Sequence, residues 1–170
     1  MDPSGAAPAL EGRIVASQRW SDVAFVHWRV DSAVVAPLLP PGIVPDMEGG
    51  TSWVGLIAFQ LADARIGPFG TPGHWGSFTE VNVRLYGVDA SGRRGVVFRS
   101  LEASSLPAVL AARALFSLPY VWARTGQRTR EDGWAYASRR ISGPGLRAHG
   151  ARFRLDLDID RTTTVDTELT

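Results

Sequence analysis

The chain has 170 residues, of which 45% are hydrophobic, and a formal net charge of +1. A chain of this length buries about 70% of its unfolded surface, enough for one domain, and the nearly balanced charge argues against nucleic acid or an anionic membrane as a partner. The sequence contains no cysteine, which excludes disulfides, zinc thiolates and cysteine nucleophiles.

All 18 basic residues are arginine. A guanidinium stays protonated and is a poor nucleophile, whereas an imine with a ketone or aldehyde requires a primary amine. The side chains of this sequence therefore cannot supply imine chemistry.

The two ends of the sequence differ in composition from its middle. Residues 1–12 are small and acidic, so we expect a disordered tail instead of a secretory signal. Residues 13–161 are expected to form the single domain, and residues 162–170 a polar tail at a truncated C-terminus. No window approaches the roughly 18 apolar residues of a membrane span, and we expect a cytoplasmic protein.

The first predicted strand covers residues 21–30 and places His27 and Arg29 on one face. Asp31 is expected to cap a helix of at most two turns, which the following prolines end.

Residues 51–61, TSWVGLIAFQL, are apolar on both faces, which is typical of a central strand. Gly55 in the middle of this strand predicts a bend or a bulge. The long loop at residues 62–77 is rich in glycine and proline and contains His74 and Trp75, so it is a candidate lid over a site.

Residues 77–103 are predicted to form a β-hairpin. In its first arm the odd-numbered positions are apolar, whereas the other face carries Phe78, Glu80, Asn82, Arg84 and Tyr86. A strand that turns Glu, Asn and Arg to one side is either solvated there or lines a polar cavity. The periodicity alone leaves these two alternatives open.

An apolar helix is predicted directly after the hairpin, capped by Ser104 or Ser105 and ended by Pro119. It is apolar nearly all round, so we expect it to be buried against the sheet or across a barrel mouth. The run RTGQRTR that follows is predicted to be a solvated, arginine-rich loop. Residues 133–141 and 151–160 are the last strand candidates.

Most motifs that identify an enzyme are absent from the sequence. There is no phosphate-binding loop, no dinucleotide fingerprint and no Gly-x-Ser-x-Gly elbow. The three histidines, His27, His74 and His149, stand at unrelated spacings. We therefore expect neither a metal site nor a cofactor.

The order of several segments resembles a known family. WSDVAFVHWRVDSAVVAPLLPPGI, SWVGLIAF and SFTEVNVRLYG, followed by the hairpin and helix, are similar to the YqjF-like family of uncharacterised domains in the acetoacetate decarboxylase-like superfamily. The resemblance covers about residues 20–159. It implies a mainly β (α+β) fold, in which a curled antiparallel sheet or barrel surrounds an internal pocket, with two short helices at its edge.

The resemblance also suggests site residues. In the decarboxylases a glutamate follows an aromatic-Thr pair on a strand that enters the pocket, and the matching FTE here makes Glu80 the catalytic candidate. An arginine near the first strand contacts the pocket; Arg19 matches better by spacing, and Arg29 is the alternative.

Two positions depart from the decarboxylase pattern. Where the decarboxylases carry Pro-Lys-Lys after the helix, with the lysine that forms the imine, this chain reads Pro-Tyr-Val with Tyr120 in the middle. A second acidic residue of the decarboxylases falls in the segment SWVGLIAF, which is apolar here. The resemblance therefore implies a retained pocket without its imine-forming group.

Our leading hypothesis is a pocket lined by Glu80, Asn82, Arg84 and Tyr120 that binds a small organic acid or carbonyl compound. Arg84 would pair with a carboxylate, Glu80 would accept a proton or hydrogen bond, and Tyr120 would donate one.

Two alternatives belong to other classes of function. The first is a non-catalytic domain that forms a homo-oligomer through an exposed sheet edge and the arginine-rich segment. The second is a lyase or hydrolase with Glu80 as general base.

Overall fold

The computed structural model describes residues 16–66, 69–70, 76–131, 133–141 and 152–158. These residues form one sheet with the strand order β1-β3-β5-β6-β7-β8-β9, while β2 pairs with β5 and β4 with β3. The strands are β1 Ala16–Val30, β2 Val44–Pro45, β3 Ser52–Ile66, β4 Phe69–Gly70, β5 Phe78–Val88, β6 Arg94–Ala103, β7 Tyr120–Arg130, β8 Gly133–Arg140 and β9 Arg152–Asp158. The helices are α1 Ser32–Val35 and α2 Leu106–Phe116.

The strand β3 lies between β1 and β5, as predicted for a segment that is apolar on both faces. Of the two alternatives predicted at Gly55, a bend or a bulge, the bulge is wrong, because pairing continues in register from His27 through Gly55 to Arg84. Gly55 instead permits a close approach: an added Cβ would lie 2.7 Å from the Tyr86 hydroxyl. Part of the predicted loop at residues 62–77 is strand, since β3 runs on to Ile66 and β4 covers Phe69–Gly70.

The β5–β6 hairpin forms as predicted, with antiparallel pairing and one register shift between Val83 and Arg84. Since directly paired residues point to the same side of a sheet, the partners of the hairpin define its two faces. Glu80 pairs with Ala103, and Val81 pairs with Glu102. We call the side with the even-numbered β5 residues the Glu80 face and the opposite side the Glu102 face.

The strands β6 and β7 are parallel. The sheet is therefore mixed, and the expectation of a purely antiparallel sheet is wrong. Parallel neighbours need a crossover, and α2 supplies it. The arginine-rich run is part of β7 and not a loop. The side chains of this run alternate between the two faces of the strand. Thr125 donates to the Thr79 carbonyl and Gln127 accepts from Gln60, while the even-numbered arginines, Arg124, Arg128 and Arg130, are exposed.

The strands β7 to β9 curl across the Glu102 face and complete a half-barrel. Fully buried Tyr136 packs there against Ala24, Ala58 and Val81, and its hydroxyl donates to the Asp22 carbonyl. These contacts confirm the predicted mainly β, curled fold with two short helices. The cavity described below lies on the opposite side, the Glu80 face, because Phe78 and its pairing partner Leu61 line it.

Helix α2 begins as predicted, with the Ser105 hydroxyl accepting from the Ala108 amide. The prediction that this helix is buried is wrong: Leu110, Leu115 and Phe116 are each more than half exposed. Within the described part of the chain, no helix is both long and apolar enough to cross a membrane.

Candidate functional site

The polar side chains of β5 form a hydrogen-bonded line with Tyr120 on the Glu80 face. Tyr120 Oη donates to Glu80 Oε2 at 2.8 Å, Asn82 Nδ2 donates to Glu80 Oε1 at 3.5 Å, and Arg84 Nε donates to Asn82 Oδ1 at 3.1 Å. We call these four residues the polar row. Glu80 is only 2% exposed and Asn82 only 1%, so the row is not a solvated outer surface.

The strand geometry keeps Glu80 and Arg84 apart. Four residues of extended chain span roughly 13 Å, and Asn82 bridges the gap with one hydrogen bond to each neighbour. Within the described residues, Glu80 therefore has two neutral donors and no contacting cation. Burial raises the pKa of the Glu80 carboxyl; the hydrogen bonds from Tyr120 and Asn82 and the charge of Arg84 oppose this shift without cancelling it.

Aromatic side chains lie around the Arg84 end of the polar row. The guanidinium carbon lies 6.0 Å from the Phe25 ring centroid and 5.6 Å from that of Phe98. Its Nη2 is buried and has no hydrogen-bond partner among the described residues. Beside it, His27 Nε2 and Tyr86 Oη are 2.6 Å apart, and burial together with the Arg84 charge lowers the pKa of His27.

The Tyr120 end of the row opens into a cavity of about 440 Å³. This cavity lies between α2, the start of β1, the end of β3 and the start of β5. Hydrocarbon groups form most of its wall: Leu61, Ala64, Phe78, Pro107, Ala108, Ala111, Ala112, Phe116 and Leu118. The polar lining comes from Ser17, Gln18, Arg65 and Tyr120.

The predicted site residues are thus brought together in part. The structure joins Glu80, Asn82, Arg84 and Tyr120 into one row, and of these four it is Tyr120 that lines the cavity. Burial and the charge of Glu80 raise the pKa of the Tyr120 phenol, which therefore remains a hydrogen-bond donor near neutral pH.

The two arginines suggested near the first strand have other contacts. Arg19 forms an ion pair with Asp63 at 2.9 Å, with 74% and 57% of the two side chains exposed. The Arg29 guanidinium lies 5.3 Å from the Trp53 ring centroid. Neither contact involves the polar row in the part of the chain that the structure describes.

Sequence reasoning missed the contribution of α2 and of Arg65 to the cavity. A signal was present in the helix, where Ala108, Ala111 and Ala112 stand at i, i+3 and i+4 and so share one face. The candidate lid residues His74 and Trp75 lie outside the described residues, as does His149.

The curled mixed sheet with its β6–α2–β7 crossover has an acetoacetate decarboxylase-like fold. The acetoacetate decarboxylase of Legionella pneumophila superposes with a TM-score of 0.54 at 16% identity, covering 79% of this chain and 55% of that one. The enduracididine biosynthesis enzyme MppR superposes with a TM-score of 0.55 at 16% identity, covering 91% of this chain and 57% of MppR.

The chain belongs to the DUF2071 family, described as an uncharacterized conserved protein, whose profile matches residues 17–169. It is 33% identical over 141 residues to the uncharacterized protein YqjF of Bacillus subtilis. These aligned residues make up 83% of this chain and 58% of YqjF. The chain therefore spans little more than half the length of these relatives.

Proposed function

We propose that this domain binds a small organic acid or carbonyl compound in the cavity beside Tyr120, without imine chemistry. One observation carries the proposal: Tyr120 lines the cavity, and its hydroxyl is hydrogen-bonded to the buried carboxyl of Glu80. A polar group in the wall of an otherwise apolar cavity fixes the orientation of a ligand and is typical of small-molecule sites.

The protonation state of Glu80 decides what Tyr120 offers the ligand. When Glu80 is ionised, the Tyr120 hydroxyl donates to it and presents only lone pairs to the cavity. When Glu80 is protonated, its carboxyl can donate to Tyr120 Oη, which frees the tyrosine hydrogen for a ligand oxygen. Because burial raises the pKa of Glu80, the protonated form persists to higher pH than it does in an exposed carboxyl.

The family resemblance argues against covalent chemistry at this position. In the segment that resembles the Pro-Lys-Lys of the decarboxylases, this chain has Tyr120 after Pro119, and a phenol cannot form an imine. Since the pKa of Tyr120 is raised, the hydroxyl is also a weak nucleophile. These properties support binding and orientation of a carbonyl oxygen.

The hypothesis that Glu80 is a general base has less support. Both carboxyl oxygens already have hydrogen-bond partners, and Tyr120 lies between Glu80 and the cavity. A general base needs a hydrogen bond to its substrate, directly or through one water. In the proposed site, Glu80 is a positioning residue that acts through Tyr120.

The proposal is tested by calorimetric titration of the chain with α-ketobutyrate and hexanoate. We expect measurable binding and about a tenfold loss of affinity in Tyr120→Phe, which removes the hydrogen bond to the ligand together with the one to Glu80. Tyr136→Phe is the matched control, because that hydroxyl donates to a backbone carbonyl on the other face; its affinity should not change.

Two results would contradict the proposal. Equal affinity in wild type and Tyr120→Phe would remove Tyr120 from the site. Absence of binding by either probe, combined with a mass in size-exclusion chromatography that depends on salt concentration, would favour the alternative of a self-associating domain.

A further inference from the structure

We infer that the ligand has an apolar tail of several carbons, which lies along α2 while its oxygen contacts Tyr120. The substrate class is then a medium-chain aliphatic acid or ketone, and not one of the shortest acids. This inference rests on the proposed function and adds the nature of the ligand's carbon skeleton.

The first argument is the size and lining of the cavity. Folded interiors leave few voids larger than a water molecule, whereas small-molecule sites measure about 300–1,000 Å³, and this cavity has about 440 Å³. Its polar lining comes from four residues, Ser17, Gln18, Arg65 and Tyr120, whereas its other nine lining residues, such as Leu61 and Phe78, are apolar.

The second argument is the orientation of α2. A helix that packs on a core normally turns its large apolar side chains inward. Here Val109 is buried, but Leu110 is 56% and Leu115 is 63% exposed, and Ala108, Ala111 and Ala112 line the cavity. The small side chains leave open a space that leucine at the same positions would fill.

The consequence concerns the shape of the ligand. A very short acid would occupy only the part of the cavity beside Tyr120. The rest of the cavity, along the hydrocarbon wall, would then hold water or stay empty, and neither is favourable in an apolar cavity. Each methylene that is removed from water along this wall should lower the dissociation constant about fourfold. Affinity should therefore rise with chain length until the cavity is filled.

The test is a titration series with α-ketobutyrate, α-ketohexanoate, α-ketooctanoate and α-ketodecanoate on the full chain. We expect affinity to rise steeply and then level off at the length that fills the cavity. In Ala111→Leu, which narrows the cavity with a good helix former, the gain in affinity from α-ketobutyrate to the longer acids should be lost. Ala114→Leu makes the same change at an exposed position of α2 and should reproduce the wild-type series.

Each outcome decides one claim. If α-ketobutyrate binds and the longer acids bind no better, the apolar tail is refuted and the proposed function stands. If a length dependence is present but identical in Ala111→Leu and Ala114→Leu, the tail does not lie along α2 and the inference also fails. Should Ala111→Leu not fold, the wild-type series alone still decides whether the ligand has an apolar tail. No binding by any acid of the series would refute the proposed function itself.

Discussion

Glu80 and Glu102 lie on neighbouring strands and are almost equally buried, at 2% and 5% exposure, but they face opposite sides of the sheet. Glu102 accepts from Arg140 at 2.8 Å and from the Ser138 hydroxyl, so its charge is matched. Among the described residues, Glu80 accepts only from neutral donors, and a cavity opens beside one of them. Glu102 joins β6 to β8 through its two hydrogen bonds, whereas Glu80 in the proposed site acts on the ligand through Tyr120.

The largest expected effect lies on the Glu102 face. Replacing Glu102 with alanine leaves Arg140, whose side chain is 22% exposed, and Ser138 without their acceptor. Removing one partner of a buried ion pair is strongly destabilising, so Glu102→Ala should lower the free energy of unfolding by about 3 kcal/mol in denaturant titration. Binding by the folded fraction should not change; a weaker α-ketooctanoate affinity with intact stability would reverse the roles assigned to the two glutamates.

Gly55→Ala should lower the free energy of unfolding by less than Glu102→Ala does. An added methyl group would lie 2.7 Å from Tyr86 Oη and 3.1 Å from both Arg84 Cγ and His27 Nε2. Overpacking of this kind typically destabilises by about 2 kcal/mol, and the contact between His27 and Tyr86 should be disrupted in the NMR spectrum of His27. Gly126→Ala is the control, since nothing lies within 4 Å of its added Cβ; equal effects of both substitutions would show that the packing at Gly55 is not tight.

Glu80→Gln should change stability less than Glu102→Ala does, and in a pH-dependent way. The folded-state pKa of Glu80 lies above the ordinary value of 4.5, so the folded state is favoured by protonation. This contribution is fully present below the unfolded-state pKa and is lost as pH rises through the folded-state pKa. Above that pKa, glutamine should be the more stable residue in urea unfolding measured across pH; a constant difference between the two proteins would contradict the raised pKa.

The smallest effect is expected at Arg19. Its ion pair with Asp63 is exposed, and such pairs contribute at most about 1 kcal/mol. Arg19→Ala should alter neither the thermal unfolding midpoint nor the affinity for α-ketobutyrate measurably. A clear loss of affinity would show that Arg19 contributes to the binding site, as the family resemblance suggested for an arginine near the first strand.

The sequence predicted the elements best where periodicity was strong. The two faces of β5, the hairpin and the central position of β3 follow from alternation and from apolar runs. The strand β7 was missed because its arginines and polar residues mimic a loop, and its outward alternation becomes clear only beside β8. The parallel pairing of β6 with β7 could not be derived, since strand direction depends on where α2 crosses the sheet.

The candidate site was predictable in its chemistry more than in its shape. The even spacing of Glu80, Asn82 and Arg84 was enough to place them in one row, and the resemblance added Tyr120. The shape of the cavity depends on packing between distant segments. These segments bring Tyr120, Arg65 and the alanines of α2 together in its wall. No local pattern encodes such contacts.

The central claim is that Glu80, acting through Tyr120, controls what the cavity binds. The most direct measurement is the affinity for α-ketooctanoate across pH in wild type and in Glu80→Gln, because glutamine can donate to Tyr120 at every pH as the protonated carboxyl does. Wild-type affinity should fall as pH rises through the raised pKa of Glu80, while the variant keeps its affinity. Parallel pH profiles in the two proteins would contradict the claim.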